Sequence, residues 1–267
     1  MKASIPILIG GRPLGGDAMP AIITPLVSRT RTMILEEVAA IAPKKPNLLE
    51  WRIDFFEAIG DHRAVIDTAL AIRQAASIPV LLTRRSAAEG GQSLAIDEAA
   101  VTAMYTAACQ AKCIELIDYE LSNAPADIEA LRKVSRANGI GMILSYHNFQ
   151  MTPDASTLDE KFAAAVRLGA DVAKVAVMPH NDRDVLELLA ATRRAREKYD
   201  LPLISIAMGG LGALSRIAGW IYGSSATFAI GQGCSAPGQI AIEDLRTALS
   251  IIRHAVLGES PGAPLGS

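Results

Sequence analysis

The chain has 267 residues, 50% of them hydrophobic and 20% charged, which supplies a sizeable core and excludes global disorder. A formal net charge of -2 gives no electrostatic case for a nucleic-acid partner or an anionic membrane, and no apolar run approaches the roughly 18 residues of a membrane span. Cys109, Cys113 and Cys234 cannot all pair, so a reducing, cytoplasmic compartment is the simpler expectation.

In chain order, "IPILIGGRPLGGDAM" at 5–19 has two Gly-Gly turn signals and predicts a short N-terminal hairpin. Strand-like runs follow at 21–27, 47–53, 78–83, 113–118, 140–146, 171–177, 201–207 and 225–230. Segments of helical periodicity separate them, among them "HRAVIDTALAIRQAA" and "NDRDVLELLAATRRAREKY". Strand and helix alternating eight times predict an α/β fold, a closed (β/α)8 TIM barrel with the hairpin closing its bottom. The open doubly wound sheet is disfavoured because "ITPLVSRT" lacks the Gly-rich first turn of that fold. No Ser-, Gly- or Pro-rich linker divides the chain. One domain over 1–267 is expected, with the hairpin at 1–20, the barrel at 21–256 and a flexible Gly/Pro-rich tail at 257–267.

Charges recur where a barrel strand should be apolar. In "LLEWRID", Leu49, Trp51 and Ile53 share one face, while Glu50, Arg52 and Asp54 share the other. A solvated outer face would explain such alternation in an antiparallel sheet, but both faces of a parallel sheet are covered. The three charges are therefore expected at the barrel axis, towards the C-terminal strand ends where barrel chemistry sits. The pattern returns with Thr83, Arg85 and the loop residue Glu89, with Asp118 and Glu120, and with Ser145 and His147. Taken singly, each charge reads best as a surface residue or half of an ion pair. Their shared position on successive strands is what points to a site.

Lys174, in "DVAKVAVMP", shares parity with the small residues Val172 and Ala176. A desolvated amine is easier to deprotonate and becomes a nucleophile towards ketones and aldehydes; the protonated imine it forms acidifies the adjacent C–H bond. His147, on the preceding strand, has the chemistry of a general acid/base beside it. After the seventh strand comes Arg216, suited to binding a carboxylate bidentately; after the eighth come Phe228, Ser235 and Gln239. For "SAPG" the alternative is a Ser N-cap with Pro just inside the next helix, which needs no ligand, and both roles are compatible in one loop. His62, His180 and His254 are expected to face solvent. The cysteines lack the further ligands of a zinc site, and Cys234 is read as a small packed residue.

Together these stretches resemble the type I 3-dehydroquinate dehydratase family of the shikimate pathway, which serves aromatic amino acid biosynthesis. The matching segments are "EWRID", "RSAAEGG", "SYHNF", "AKVAVMP", "MGGLGALSR", "GSSATF" and "SAPGQI", in order from about residue 20 to about 255. The resemblance implies a hydro-lyase without metal or cofactor, commonly a homodimer, acting on a small anionic polyhydroxylated cyclic ketone, 3-dehydroquinate. It implies Lys174 as the Schiff-base lysine, His147 as general acid/base and Glu89 as the residue orienting that His. Glu50, Arg52, Arg85, Arg216, Ser235 and Gln239 would contact substrate, with Arg216 on its carboxylate and Met208 and Phe228 as an apolar wall. Two departures are visible: Ile206 stands where some members carry a second Met, and the Gly-rich "GGLGA" replaces a loop that carries a Lys.

Two other functions compete. A class I aldolase on the same barrel also uses a lysine imine, and aldehyde release rather than an enone chromophore would reveal it. A barrel that binds an acid without turnover would be expected to have lost Lys174, His147 or the Arg216 clamp, and none is lost.

Overall fold

The computed structural model describes residues 3–258. It opens on the predicted hairpin: β1 (Ile7–Ile9) pairs antiparallel with β2 (Arg12–Leu14), joined by Gly10 and Gly11, both at positive φ. A two-residue turn with both central residues left-handed matches the twist of its strands, and glycine adopts it without a Cβ clash. Ile9 and Leu14 turn inward and pack with Leu48, Leu116 and Val172, so the hairpin floors the barrel. Gly10 abuts Pro79 and Gly15 abuts Pro202, the residues at the N-terminal ends of two barrel strands.

Eight parallel strands follow: β3 (Ala21–Leu26), β4 (Leu48–Arg52), β5 (Val80–Thr83), β6 (Leu116–Glu120), β7 (Gly141–Asn148), β8 (Val172–Val177), β9 (Leu203–Ala207) and β10 (Ala226–Ile230). Each pairs with its sequence neighbour, and β10 returns to pair with β3. The seam between β9 and β10 is the thinnest. It closes through the Leu203–Ser224 bridge, where the Ser225 amide donates to the Leu203 carbonyl at 2.6 Å and the Ser205 amide to Ser224 Oγ at 3.1 Å. A two-residue β11 (Ile240–Ala241) adds to the outer side of β10. The architecture is thus α/β, a (β/α)8 barrel with its N-terminal hairpin.

The helices α1 (Arg31–Ile41), α2 (His62–Ala76), α3 (Glu98–Gln110), α4 (Pro125–Ala137), α5 (Ala155–Arg167), α6 (Asp182–Lys198), α7 (Ala213–Ala218) and α8 (Ile242–Leu257) alternate with the strands. Asp61, Asp97, Asp154 and Asn181 cap α2, α3, α5 and α6 with side-chain oxygens that accept first-turn amides. Leu49, Trp51, Val175, Val177 and Leu203 point outward into the main core beneath the helices. Trp51 meets Phe56 edge-to-face at 5.3 Å. The parity expected for β4 is the one observed.

Boundaries shift in informative places. β7 extends past the expected 146 to Asn148, because its ladder with β8 continues to Asn148–Val177 and brings His147 into the strand. β6 begins at Leu116 and runs to Glu120, carrying both its carboxylates within the sheet. Between β9 and β10 the helical segment is short, a six-residue α7 followed by a 3-10 turn over Gly219–Tyr222. α8 runs to Leu257 with left-handed Gly258 as its cap, so the tail expected from 257 falls otherwise on 259–267, outside the described residues. His180 is exposed as expected, but His62 and His254 are half-buried on helix faces. Cys109 and Cys113 are buried, while Cys234 is exposed rather than packed, because its loop crosses the surface, where Sγ donates to the nearby Ala236 carbonyl. No helix among the described residues is long and apolar enough to cross a membrane.

Candidate active site

The inward-facing positions change character along the barrel axis. Near the hairpin they are Leu48, Leu116, Ile143 and Val172, all apolar. One rung towards the C-terminal ends they become Glu50, Thr83, Asp118, Ser145 and Lys174, all buried. Period-two alternation dictates this: each of these residues lies two positions beyond an inward apolar residue of its own strand.

Lys174 does not lie in an apolar hole. Its Nζ donates to Asp118 Oδ2 at 2.8 Å, stands 3.9 Å from Glu50 Oε1, and lies 4.7 Å from the centre of the Phe228 ring. The other Asp118 oxygen accepts Arg85 Nη2 at 2.9 Å and the Ser145 hydroxyl at 2.5 Å. Burial opposes the Asp118 anion, but Arg85 and Lys174 outweigh it and hold the carboxyl far below the usual carboxylate range. Arg85 is engaged further by Ser145 Oγ at 2.9 Å and Glu120 Oε1 at 3.0 Å. Burial works against its charge, yet the surrounding carboxylates raise its affinity for the proton.

His147 sits one inward position nearer the mouth than Ser145, about 6.6 Å along the strand. Its Nδ1 lies 2.9 Å from Glu89 Oε2, the oxygen that also accepts the His147 backbone amide at 3.0 Å. Ser122 Oγ donates to the other Glu89 oxygen at 2.9 Å. Burial, with Arg85 and Lys174, pushes His147 well below its usual range. Burial and Glu120 push the Glu89 carboxyl up to about 7. The imidazole is therefore neutral at pH 7. With Nδ1–H donated to Glu89, Nε2 carries the free lone pair.

The eleven residues to which the family resemblance assigns roles all line one cavity of about 470 Å³, mouth included, within the range of small-molecule sites. The three arginines are not equivalent. Arg52 is locked bidentately by Asp54 at 2.8 and 2.7 Å, and Arg85 is engaged by Asp118 and Glu120. Among the described residues Arg216 has no carboxylate partner: its Nη2 donates to the Pro237 carbonyl at 2.9 Å and its buried Nε is unpartnered. Burial lowers it to about 10, which leaves it cationic at neutral pH with donors to spare. Met208, Phe228, Ile206 and Ala176 form the apolar side.

The loop after β10 lies over this cavity. Ser235 and Gln239 hold each other, amide to Oε1 and Nε2 to Oγ, both at 3.1 Å. The N-cap reading of "SAPG" fails, because α8 starts only at Ile242 behind an Ala241 cap. Gly238, at φ +74, presses on the loop after β9: a Cβ there would meet the Gly209 carbonyl oxygen at 2.2 Å.

A family model described as "Type I 3-dehydroquinase" matches residues 22–255. The chain belongs to the type I 3-dehydroquinase family. That membership makes it an enzyme of the hydro-lyase class. Similar proteins include a 3-dehydroquinate dehydratase from Albidiferax ferrireducens, 50% identical over 99% of this chain and 100% of its own length. One from Bacillus subtilis is 37% identical over 91% of this chain and 96% of its own. The crystal structure of 3-dehydroquinate dehydratase from Geobacillus kaustophilus superposes with a TM-score of 0.92 at 44% identity, covering 95% of this chain and 98% of that one. A type I enzyme from Clostridium difficile, solved with covalently modified comenic acid, gives a TM-score of 0.90 at 31% identity over 94% of this chain and 99% of that one.

Asp118, Glu120 and Ser145 stood out in the sequence by parity alone, without assigned roles. Asp54, Ser122, Gly90 and Phe149 also belong to the site or its support. Ser122 and Phe149 lie in loops, where no periodicity marks an inward residue.

Proposed function

We propose that this chain converts 3-dehydroquinate to 3-dehydroshikimate and water through a Schiff base on Lys174. The observation that carries the reading is the pairing, in one cavity, of a buried lysine amine with a neutral histidine oriented by a carboxylate. Lys174 condenses with the substrate ketone, and the protonated imine withdraws electrons from the adjacent carbon. His147 Nε2 takes the proton released there. The imidazolium, stabilised by Glu89, then delivers a proton to the departing hydroxyl, and a water molecule hydrolyses the product imine to release 3-dehydroshikimate and regenerate the Lys174 amine. Arg216 clamps the substrate carboxylate, Ser235 and Gln239 bind from the overlying loop, and Glu50 hydrogen-bonds near the imine. Arg52 and Arg85, fixed by their carboxylates, contribute positive field from the walls, and Met208 and Phe228 hold the ring. The names of the relatives and the covalently modified comenic acid in the Clostridium difficile structure support the reading. The same likeness supports a one-domain homodimer acting in the shikimate pathway in the cytoplasm; light scattering of the purified protein tests the dimer.

The deciding experiment is intact mass after incubation with 3-dehydroquinate and borohydride, followed by peptide mapping. A single reduced adduct on Lys174, with formation of an enone chromophore in its absence, is expected. Unchanged substrate and an unmodified, folded protein would remove the covalent mechanism. Release of an aldehyde from an aldol substrate would move the chain to the aldolases.

A further inference from the structure

Among the described residues Asp118 is the carboxylate nearest the Lys174 nitrogen, and three side chains fix it just beneath the cavity. It lies on β6, fully buried, with Oδ2 on Lys174 Nζ and Oδ1 on Arg85 and Ser145. Glu50 approaches Nζ only to 3.9 Å, and the same oxygen accepts the Thr83 hydroxyl at 3.0 Å. Glu120 faces Arg85 and the Ser86 amide, and Glu89 faces His147. Of these four acids, Asp118 alone has an oxygen given over to the lysine.

We propose that Asp118 is the standing counterion of the covalent intermediate, a positioning residue that keeps one hydrogen bond on the Lys174 nitrogen from free enzyme through imine. The inference rests on the Schiff-base reading above. Condensation balances as R–NH3+ + O=C< giving R–NH+=C< + H2O: the C=N bond forms, and the ketone oxygen leaves with two ammonium protons. Charge at nitrogen is the same at both ends, and one N–H survives. A fixed anion 2.8 Å from that nitrogen therefore holds the imine in its protonated form, the form that borohydride reduces, and the surviving N–H can remain on Oδ2. Asp118 does not act as the base. Its anion is stabilised by Arg85 and Lys174, and the Ser145 hydroxyl occupies its second oxygen, so the protons that move are left to His147 and water. The frame around Arg85 and Ser145 makes this anion preorganised, so nothing need reorient as charge passes from ammonium to imine.

The test measures the initial rate of borohydride-dependent inactivation at saturating 3-dehydroquinate, beside the affinity for the alcohol analogue in which the ketone is reduced. Asp118→Asn keeps shape and removes charge. It is expected to slow trapping about a hundredfold, as for a buried pair broken on one side, while alcohol binding stays within about threefold because no imine forms there. Asp118→Glu, which keeps the anion but displaces it by a methylene, is expected to lie between wild type and Asp118→Asn. Trapping of folded Asp118→Asn at the wild-type rate would overturn the counterion role and leave the Schiff base standing. No trapping in wild type itself would instead remove the Schiff-base reading. Where circular dichroism shows Asp118→Asn unfolded, Asp118→Glu decides: slower trapping with unchanged alcohol affinity supports the role, and the wild-type rate refutes it.

Discussion

Replacing Glu89 by Gln separates what this carboxylate does for His147 from what it costs the fold. Glu89 is 5% exposed, and its carboxyl is pushed from an ordinary 4.5 to about 7, chiefly by burial and by Glu120, with Arg85 and the Ser122 hydrogen bond working the other way. The folded chain thus holds a proton that the unfolded chain has already released. Below pH 4.5 both states are protonated and the group makes no difference. Between 4.5 and 7 stability falls as pH rises, and above 7 the full penalty is present, about 3 kcal/mol. Gln keeps an oxygen for Nδ1–H but never ionises. Glu89→Gln should therefore match wild type near pH 4 and exceed it near pH 8, by about 5 °C in Tm for a chain of this size. Turnover should fall about a hundredfold, because the imidazolium loses its anion. Thermal melts of both proteins from pH 4 to 8, with 3-dehydroquinate turnover alongside, check this. A Tm difference that does not change with pH, or a variant less stable at pH 8, would refute the argument.

His147→Ala should lose turnover by about a thousandfold while borohydride still traps an adduct on Lys174; peptide mapping reads this, and full activity would remove His147 from its role. Arg216→Ala should raise KM about a hundredfold with a smaller change in kcat, and Arg216→Lys should recover little of it, since a lysine cannot present a bidentate fork; steady-state kinetics separate the two parameters. Gly238→Ala places a Cβ 2.2 Å from the Gly209 carbonyl oxygen and should displace the loop bearing Ser235 and Gln239. Its KM should rise about tenfold with Tm nearly unchanged, because the loop lies outside the core.

Much of this molecule is legible in its sequence because a strand's side-chain direction is a local property. Alternation in "LLEWRID" separates Leu49 and Trp51 from Glu50 and Arg52 whatever the rest of the chain does, and eight strand–helix repeats leave a closed parallel barrel as the economical solution. The same alternation places Lys174, Ser145 and His147 inside, at the end where βα loops gather. The family motifs then connect those positions to a chemistry that no single charge implies.

Which inward residues touch is decided elsewhere. Asp118 reaches Lys174 across 56 residues, and Arg85 reaches Glu120 across 35. Those meetings depend on the register of each ladder and on closure of the barrel between Leu203 and Ser224, neither of which any segment encodes alone. The sequence predicted a lysine desolvated among small neighbours; tertiary structure surrounds it with a carboxylate array. Arg52, Arg85 and Arg216 look alike in the chain, and only folding gives the first two their anions and leaves the third with free donors. The local rules determine which way a side chain points, because each peptide unit alternates by covalent geometry. What it meets there depends on long-range packing, which brings several strands to one place and sets the charge of the site.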